Sequence, residues 1–315
     1  MRKIVIATRQ STLALTQAEQ VMEHLRKLCA EHAIEAEFEI KKIVTRGDRI
    51  LDVTLSKVGG KGLFVKEIEQ ALLDGEADIA VHCLKDMPFE LPEGLVLGAI
   101  PEREDPRDCL IMRDGYGLDD LPQGAKVGTS SLRRSSQLQH ARPDLQIEPV
   151  RGNIDSRLRK LETEGFDAIV LAVAGLNRLG LQDHISAYLE PELSLPAVGQ
   201  GTLCMECRSD DEFVLNLLAK YSHEETAIVS EAERTFLGKL NGGCQVPIGA
   251  YAKLTGELDG QRRPRIELTG MVGSPDGKQI LKDTVTGYDP ELLGTSLAEI
   301  LIGRGAAELL DAARE

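Results

Sequence analysis

Val127-Gly-Thr-Ser-Ser-Leu-Arg-Arg134 passes from an apolar strand, through small polar residues, straight into a helix. Arg151-Gly-Asn-Ile-Asp-Ser-Arg157 repeats the pattern, and Ala7-Thr-Arg-Gln-Ser11 shows it near the start. Corners of this kind belong to sheets whose strands feed helices, which points the chain to the α/β class. They also have an electrostatic meaning. A helix N-terminus presents free backbone N–H groups and a partial positive charge. Arginines added there make a socket for anions. The whole chain carries a formal charge of -14, so these basic corners run against its average.

The pattern can be followed along the chain. Ile4 to Thr8 reads as a buried strand and Ser11 as an N-cap. A helix follows from Thr12 to Cys29, with Leu15, Ala18, Val21, Met22 and Leu25 on one face. Glu37 to Val44 is the next strand. Thr45-Arg-Gly-Asp48 and the glycine- and lysine-rich segment ending Lys57-Val-Gly-Gly-Lys61-Gly lack a period and read as a mobile loop. A helix from Leu63 to Leu73, a strand from Asp78 to His82 and a turn over Leu84-Lys-Asp-Met-Pro88 come next.

A second segment repeats the plan. Lys126 to Gly128, Gln146 to Val150 and Phe166 to Val173 read as strands, separated by helices over Leu132 to His140 and Ile154 to Glu164. Strands alternating with helices predict parallel, doubly wound sheets. Two such units, joined near Pro101 to Arg107 and again near Pro191 to Gln200, predict a two-domain clamshell. Ligands of open α/β sheets bind beyond the carboxyl ends of the strands, where the arginine corners fall.

From about His223 the style changes. A helix over Glu225 to Leu237 leads to Asn241-Gly-Gly-Cys244. Strand-like runs follow at Pro247 to Leu254, Ile266 to Val272 and Gln279 to Val285, the last two joined by the turn Ser274-Pro-Asp-Gly277. One helix from Glu291 to Ala313 closes a small α+β domain with an antiparallel sheet.

Composition narrows the function. A net negative chain is a poor general binder of nucleic acid or anionic membranes. Aromatics at 3%, with no Trp, supply few stacking platforms for single strands. The apolar run after Met1 is too short for a signal peptide, so the chain is expected in the cytoplasm, where six scattered cysteines do not form a disulfide framework.

Several residues could carry chemistry. Arg9, Arg133, Arg134, Arg151 and Arg157 recur at equivalent corners, and Arg178 follows the strand after Arg157. Several guanidiniums together suit a polycarboxylate, each charge-assisted bond contributing about 1.5–3 kcal/mol. A phosphate is the other option, although neither glycine fingerprint for phosphate binding is present. Cys244, preceded by two glycines, sits on a tight loop that can expose a thiol. Cys204 and Cys207 have redox spacing but lie in a strand-like run, and read as structural; no Cys or His spacing suits zinc. Asp86, just past a buried strand and beside Lys85, is a candidate for acid/base work. Lys57 and Lys61 could close over an anion.

These stretches resemble one family. Val127 to Arg134, Arg151-Gly-Asn153, Ala80-Val-His-Cys-Leu-Lys-Asp86, Leu195-Pro-Ala-Val-Gly-Gln-Gly201 and Gly242-Gly-Cys-Gln-Val-Pro-Ile-Gly249 look like hydroxymethylbilane synthases, also called porphobilinogen deaminases. Ala7 to Ser11 and Lys57 to Phe64 fit as well, and the likeness runs from residue 4 to about 313. It implies two lobes like those of periplasmic binding proteins, at 1–101 with 200–219 and at 106–195, and a cysteine-bearing domain at 223–315. It implies a transferase of porphyrin and heme biosynthesis, working without a metal on a dipyrromethane cofactor joined to Cys244 by a thioether. Four porphobilinogen molecules would be condensed, with loss of ammonia, into linear hydroxymethylbilane. The enzyme would act as a cytoplasmic monomer and pass its product to uroporphyrinogen-III synthase.

By the same matching, Asp86 is the catalytic acid. Lys85, Thr129, Ser131, Arg133, Arg134 and Arg157 would hold cofactor carboxylates. Arg9, Ser11, Arg151 and Arg178 would hold substrate or the growing chain, and Lys57 and Lys61 would belong to a lid. Cys83 stands where the family commonly has Ser, and a thiol is the weaker donor. The rival from another class is a non-catalytic two-lobe protein that binds or senses a small polyanion. A glycine-flanked cysteine in a third domain is a feature such a protein does not need.

Overall fold

A computed structural model describes residues 1–49, 62–243 and 246–314. Among them the strands are β1 (Arg2–Arg9), β2 (Ala36–Ile43), β3 (Ile79–Cys83), β4 (Leu95–Ala99), β5 (Asp108–Met112), β6 (Lys126–Gly128) and β7 (Gln146–Glu148). They continue with β8 (Ala168–Ala172), β9 (Ala187–Leu189), β10 (Leu203–Arg208), β11 (Ile248–Leu258), β12 (Pro264–Gly273) and β13 (Ile280–Gly287). No described helix is long and apolar enough to cross a membrane.

The chain divides into two compact units. The first takes the described residues up to Glu104 together with Thr202–Ala227. Its sheet has the order β2-β1-β3-β10-β4. β1 is parallel to β2 and β3, whereas β10 is antiparallel to β3 and β4. The helix Thr12–Glu31 starts where Ser11 accepts a hydrogen bond from the Ala14 N–H at 3.3 Å. Its buried stripe of Ala18, Val21, Leu25 and Leu28 packs on Ile4, Ile6, Ile79 and Met205 of the sheet. The predicted stripe is present, except that Leu15 and Met22 are only half-buried.

The second unit takes Asp105–Gly201 and the described residues from Ile228 onward. Its five-stranded sheet has the order β7-β6-β8-β5-β9, with β6 parallel to β7 and β8, and β5 antiparallel to β8 and β9. Leu110, Val127 and Val170 pack on one face; Cys109, Ile169 and Leu171 pack on the other. Burial on both faces is why these strands read as unbroken apolar runs.

The sheets are therefore mixed, not parallel as the sequence predicts. The physical reason lies in β5 and β10. Each is entered from a non-helical connecting segment, Pro101–Arg107 or Ser194–Thr202, with no crossover helix to force a parallel return. β4, β5 and β9, which the sequence reading leaves unassigned, complete the sheets at these strands.

The three-stranded antiparallel sheet β11-β12-β13 also lies in the second unit, covered by helices Glu224–Lys239, Pro290–Gly303 and Ala306–Arg314 through Phe236, Leu268, Leu297 and Leu301. The single C-terminal helix expected over Glu291–Ala313 is in fact two. Gly305 adopts φ +96 and breaks it, a conformation that an L side chain would resist.

Candidate functional site

In the second unit β6 ends at Gly128, and Thr129 extends its pairing by donating its N–H to the Glu148 carbonyl at 2.9 Å. The Thr129 hydroxyl accepts the Ser131 N–H at 3.2 Å, and the Ser130 hydroxyl donates to the Val150 carbonyl at 2.9 Å. These bonds shape the corner. Ser131 occupies the N-cap position of the helix Leu132–Ala141, but its side chain makes no capping bond.

The two arginines that follow are buried, and both reach Asp108, the first residue of β5, which is wholly buried. Arg133 donates from Nη1 to Asp108 Oδ2 at 2.7 Å and from Nη2 to Oδ1 at 3.2 Å. Arg134 donates to Oδ1 from Nε at 2.9 Å and from Nη2 at 2.7 Å. Ser194 Oγ and Gln200 Nε2 add bonds of 2.9 Å each. Burial alone would raise the Asp108 pKa, but the two guanidiniums prevail and hold it well below the usual carboxylate range.

The second corner lies at Arg151-Gly152-Asn153. Gly152 has φ +111, and the Asn153 side chain accepts the Ser156 N–H at 2.9 Å to start the helix Ile154–Thr163. Half-buried Arg157 donates from Nε to the Gly152 carbonyl at 2.9 Å. Among the described residues it forms no ion pair. Burial pushes its pKa down to about 10, with Arg134 and Arg151 pushing the same way. Like charges have been gathered here, and an anion would relieve them. Arg178, at the end of the helix Val173–Leu179, donates to the Gly201 carbonyl at 2.6 Å.

In the first unit Arg9 ends β1. Its Nε donates to Asp48 Oδ1 at 3.0 Å, and its guanidinium lies 4.2 Å from the centre of the Phe64 ring. Burial would raise the Asp48 pKa; Arg9 and Thr45 lower it overall. Ser11, expected among the substrate-holding residues, spends its side-chain oxygen on the helix cap.

Asp86 and Lys85 sit on a single 3-10 turn, Leu84–Asp86, directly after β3. The turn is fixed by buried Leu84 and Met87 and by the Leu84 N–H, which donates to the Thr202 carbonyl at 2.9 Å. Asp86 itself is half-buried and meets no hydrogen-bond or ion-pair partner among the described residues. An anchored backbone thus carries an uncommitted carboxylate. The Cys83 thiol exchanges weak hydrogen bonds with the Gln17 amide, at 3.5 and 3.6 Å. Behind the turn lies a buried group of Glu69, His82 and Glu206, with His82 Nε2 3.2 Å from Glu206 Oε2. Burial, and then Glu206, raise the Glu69 pKa, against the opposing effect of His82.

Lys57, Lys61 and Cys244, and most of the segment read as a mobile loop, lie outside the described residues. On the approach to Cys244, a Cβ on Gly242 would come within 2.5 Å of Leu237 Cδ1 and 2.7 Å of Ile248 Cδ1, so any larger residue there would have to push those side chains aside. Cys204 and Cys207, three apart on a strand, face opposite ways, and burial pushes Cys207 up to about 11. Neither suits redox work. Sequence reasoning missed Asp108, Asp48, Ser194 and Gln200. Only Asp108 left a signal, as an acid heading the apolar run Cys109-Leu-Ile-Met112.

A family model for the dipyromethane cofactor binding domain of porphobilinogen deaminase matches residues 4–216, and one for the C-terminal domain of the same family matches residues 227–303. A porphobilinogen deaminase of Paenibacillus macerans is 58% identical over 96% of this chain and 98% of its own. One from Brevibacillus brevis is 60% identical over 98% of this chain and 97% of its own. A solved TRAP periplasmic solute binding protein from Desulfovibrio salexigens superposes with TM-score 0.44 and 13% identity over 71% of this chain and 73% of its own.

Proposed function

This chain belongs to the porphobilinogen deaminase family, and on that basis we propose that it condenses four porphobilinogen molecules, with loss of ammonia, into linear hydroxymethylbilane on a dipyrromethane held by Cys244. The observation that carries the reading is half-buried Arg157, which bonds only the Gly152 carbonyl and has no ion pair among the described residues, near the further cations Arg134 and Arg151. Arg133 and Arg134 share one buried carboxylate, Asp108, and among the described residues Arg157 has no acidic partner, so these three cations are offset by a single anion. A ligand bearing an acetate and a propionate on each pyrrole ring supplies the missing negative charge in the bidentate form that guanidinium prefers.

Arg134 and Arg157, with Thr129, Ser131 and Lys85, would hold the dipyrromethane carboxylates. When bound, that group would supply the free pyrrole α-carbon onto which the first unit is joined. Arg151, Arg178 and Arg9 would hold the carboxylates of incoming porphobilinogen and the lengthening chain, Arg9 exchanging its bond to Asp48 for the substrate. Asp86 can protonate the departing amine of porphobilinogen as the C–N bond breaks. As an anion it can then offset positive charge developing on the pyrrole and accept the proton released after coupling. Among the described residues it meets no partner whose bond would compete, which supports that role. Lys57 and Lys61 are assigned to a lid, and the three-domain division at 1–101 with 200–219, 106–195 and 223–315 is part of the same reading.

The test is stoichiometry. Purified protein given porphobilinogen should release one ammonia per molecule consumed and four per tetrapyrrole formed. Retention of porphobilinogen with no ammonia released would leave a binding protein and refute the enzyme reading.

A further inference from the structure

Arg133 and Arg134 are neighbours in sequence and both buried, yet their hydrogen bonds differ in kind. Both Nη1 hydrogens of Arg133 are taken, by Asp108 Oδ2 and by the Leu195 carbonyl, each at 2.7 Å. A third bond runs from Nη2 to Asp108 Oδ1. Gln137 closes the circuit: its Nε2 donates to the carbonyls of Arg133 and Leu195 at 3.1 and 3.2 Å, and its Oε1 accepts the Leu195 N–H at 2.7 Å. Arg133 is thus tied into the segment Ser194–Leu195. Arg134 has a bond to the Val170 carbonyl and two to Asp108, which leaves one hydrogen on each terminal nitrogen.

Asp108 is where these threads meet. Its two oxygens accept from Arg133, Arg134, Ser194 and Gln200, more donors than two oxygens hold comfortably. We propose that Asp108 is a positioning residue that fixes Arg134 for ligand carboxylates, and that Arg133 serves as the buried counter-charge of Asp108 and touches neither cofactor nor substrate. This rests on the reading that the corner holds the dipyrromethane, and it revises the role that the resemblance gives to Arg133. Without Arg133, the Asp108 charge falls on Arg134 alone, and the pairing that should go to the ligand is spent inside the protein. A buried charge stripped of one partner also disturbs its surroundings.

The consequence is a charge balance that can be restored. Arg133→Gln should reduce the share of purified protein carrying the dipyrromethane adduct by about tenfold or more, as read by intact mass. The balanced pair Asp108→Asn with Arg133→Gln removes one charge of each sign and should return loading to within about threefold of the unaltered protein. Arg133→Lys keeps the charge but not the bidentate fork, and should load equally well. In the loaded fraction of the last two variants, KM for porphobilinogen should stay within about twofold.

If Arg133 held a ligand carboxylate itself, neither variant would recover. Loading that stays at the Arg133→Gln level in Arg133→Lys, with an unchanged melting temperature, overturns the proposal, and that variant decides alone should the double variant fail to fold. An unaltered protein that carries no adduct would instead refute the cofactor reading, so the two failures are distinguishable.

Discussion

Asp86→Asn yields a protein that carries its cofactor in full but releases ammonia from porphobilinogen about 100- to 10,000-fold more slowly. The asymmetry follows from the setting. The backbone at Asp86 is anchored by Leu84, Met87 and the bond to Thr202, none of which involves the carboxylate. The side chain has no partner among the described residues, so an isosteric amide costs the fold almost nothing. What the amide lacks is a proton to give and a negative charge to place near a developing cation. Intact mass for loading, a thermal melt for folding and ammonia release for turnover separate the three quantities. Near-normal ammonia release would remove Asp86 from the mechanism.

Arg157→Gln has a large effect of the opposite kind, on loading and not on the chemical step. Among the described residues Arg157 has no ion pair to lose, and Arg134 and Arg151 repel it. Its removal should leave the melting temperature of the unloaded protein unchanged or slightly raised. The ligand, by contrast, loses a charge-assisted pair worth about 1.5–3 kcal/mol, which lowers cofactor loading by about ten- to hundredfold. Few substitutions of a half-buried arginine should spare stability and abolish binding together. That combination marks a residue held for a ligand. Full loading in Arg157→Gln, or a large loss of stability without any loss of loading, would make Arg157 a structural residue.

The contrast between Arg157 and Arg133 shows what the sequence could reveal. Strand-to-helix corners were legible because their cause is local: an apolar run, a small polar turn and an amphipathic stripe lie within a few residues. The short strand Lys126–Gly128 and the starts of helices Leu132–Ala141 and Ile154–Thr163 fall where local pattern places them. Partners distant in the chain were not legible. Asp108 meets Arg133 and Arg134 only because β5 inserts antiparallel beside β8, and nothing near Asp108 in sequence announces that pairing. The reversed strands β5 and β10 escaped for the same reason, as did the pairing of Arg9 with Asp48. The break at Gly305 was misread because apolar spacing continues across it, while the left-handed backbone that ends the helix has only a lone glycine as its sign.

What the arginine corners are for is tested most directly by the mass of the purified protein. It should exceed the mass calculated from the sequence by one dipyrromethane, and peptide mapping should place the whole increment on the fragment containing Cys244. Protein that turns over porphobilinogen at full rate with an unmodified Cys244 would contradict the account.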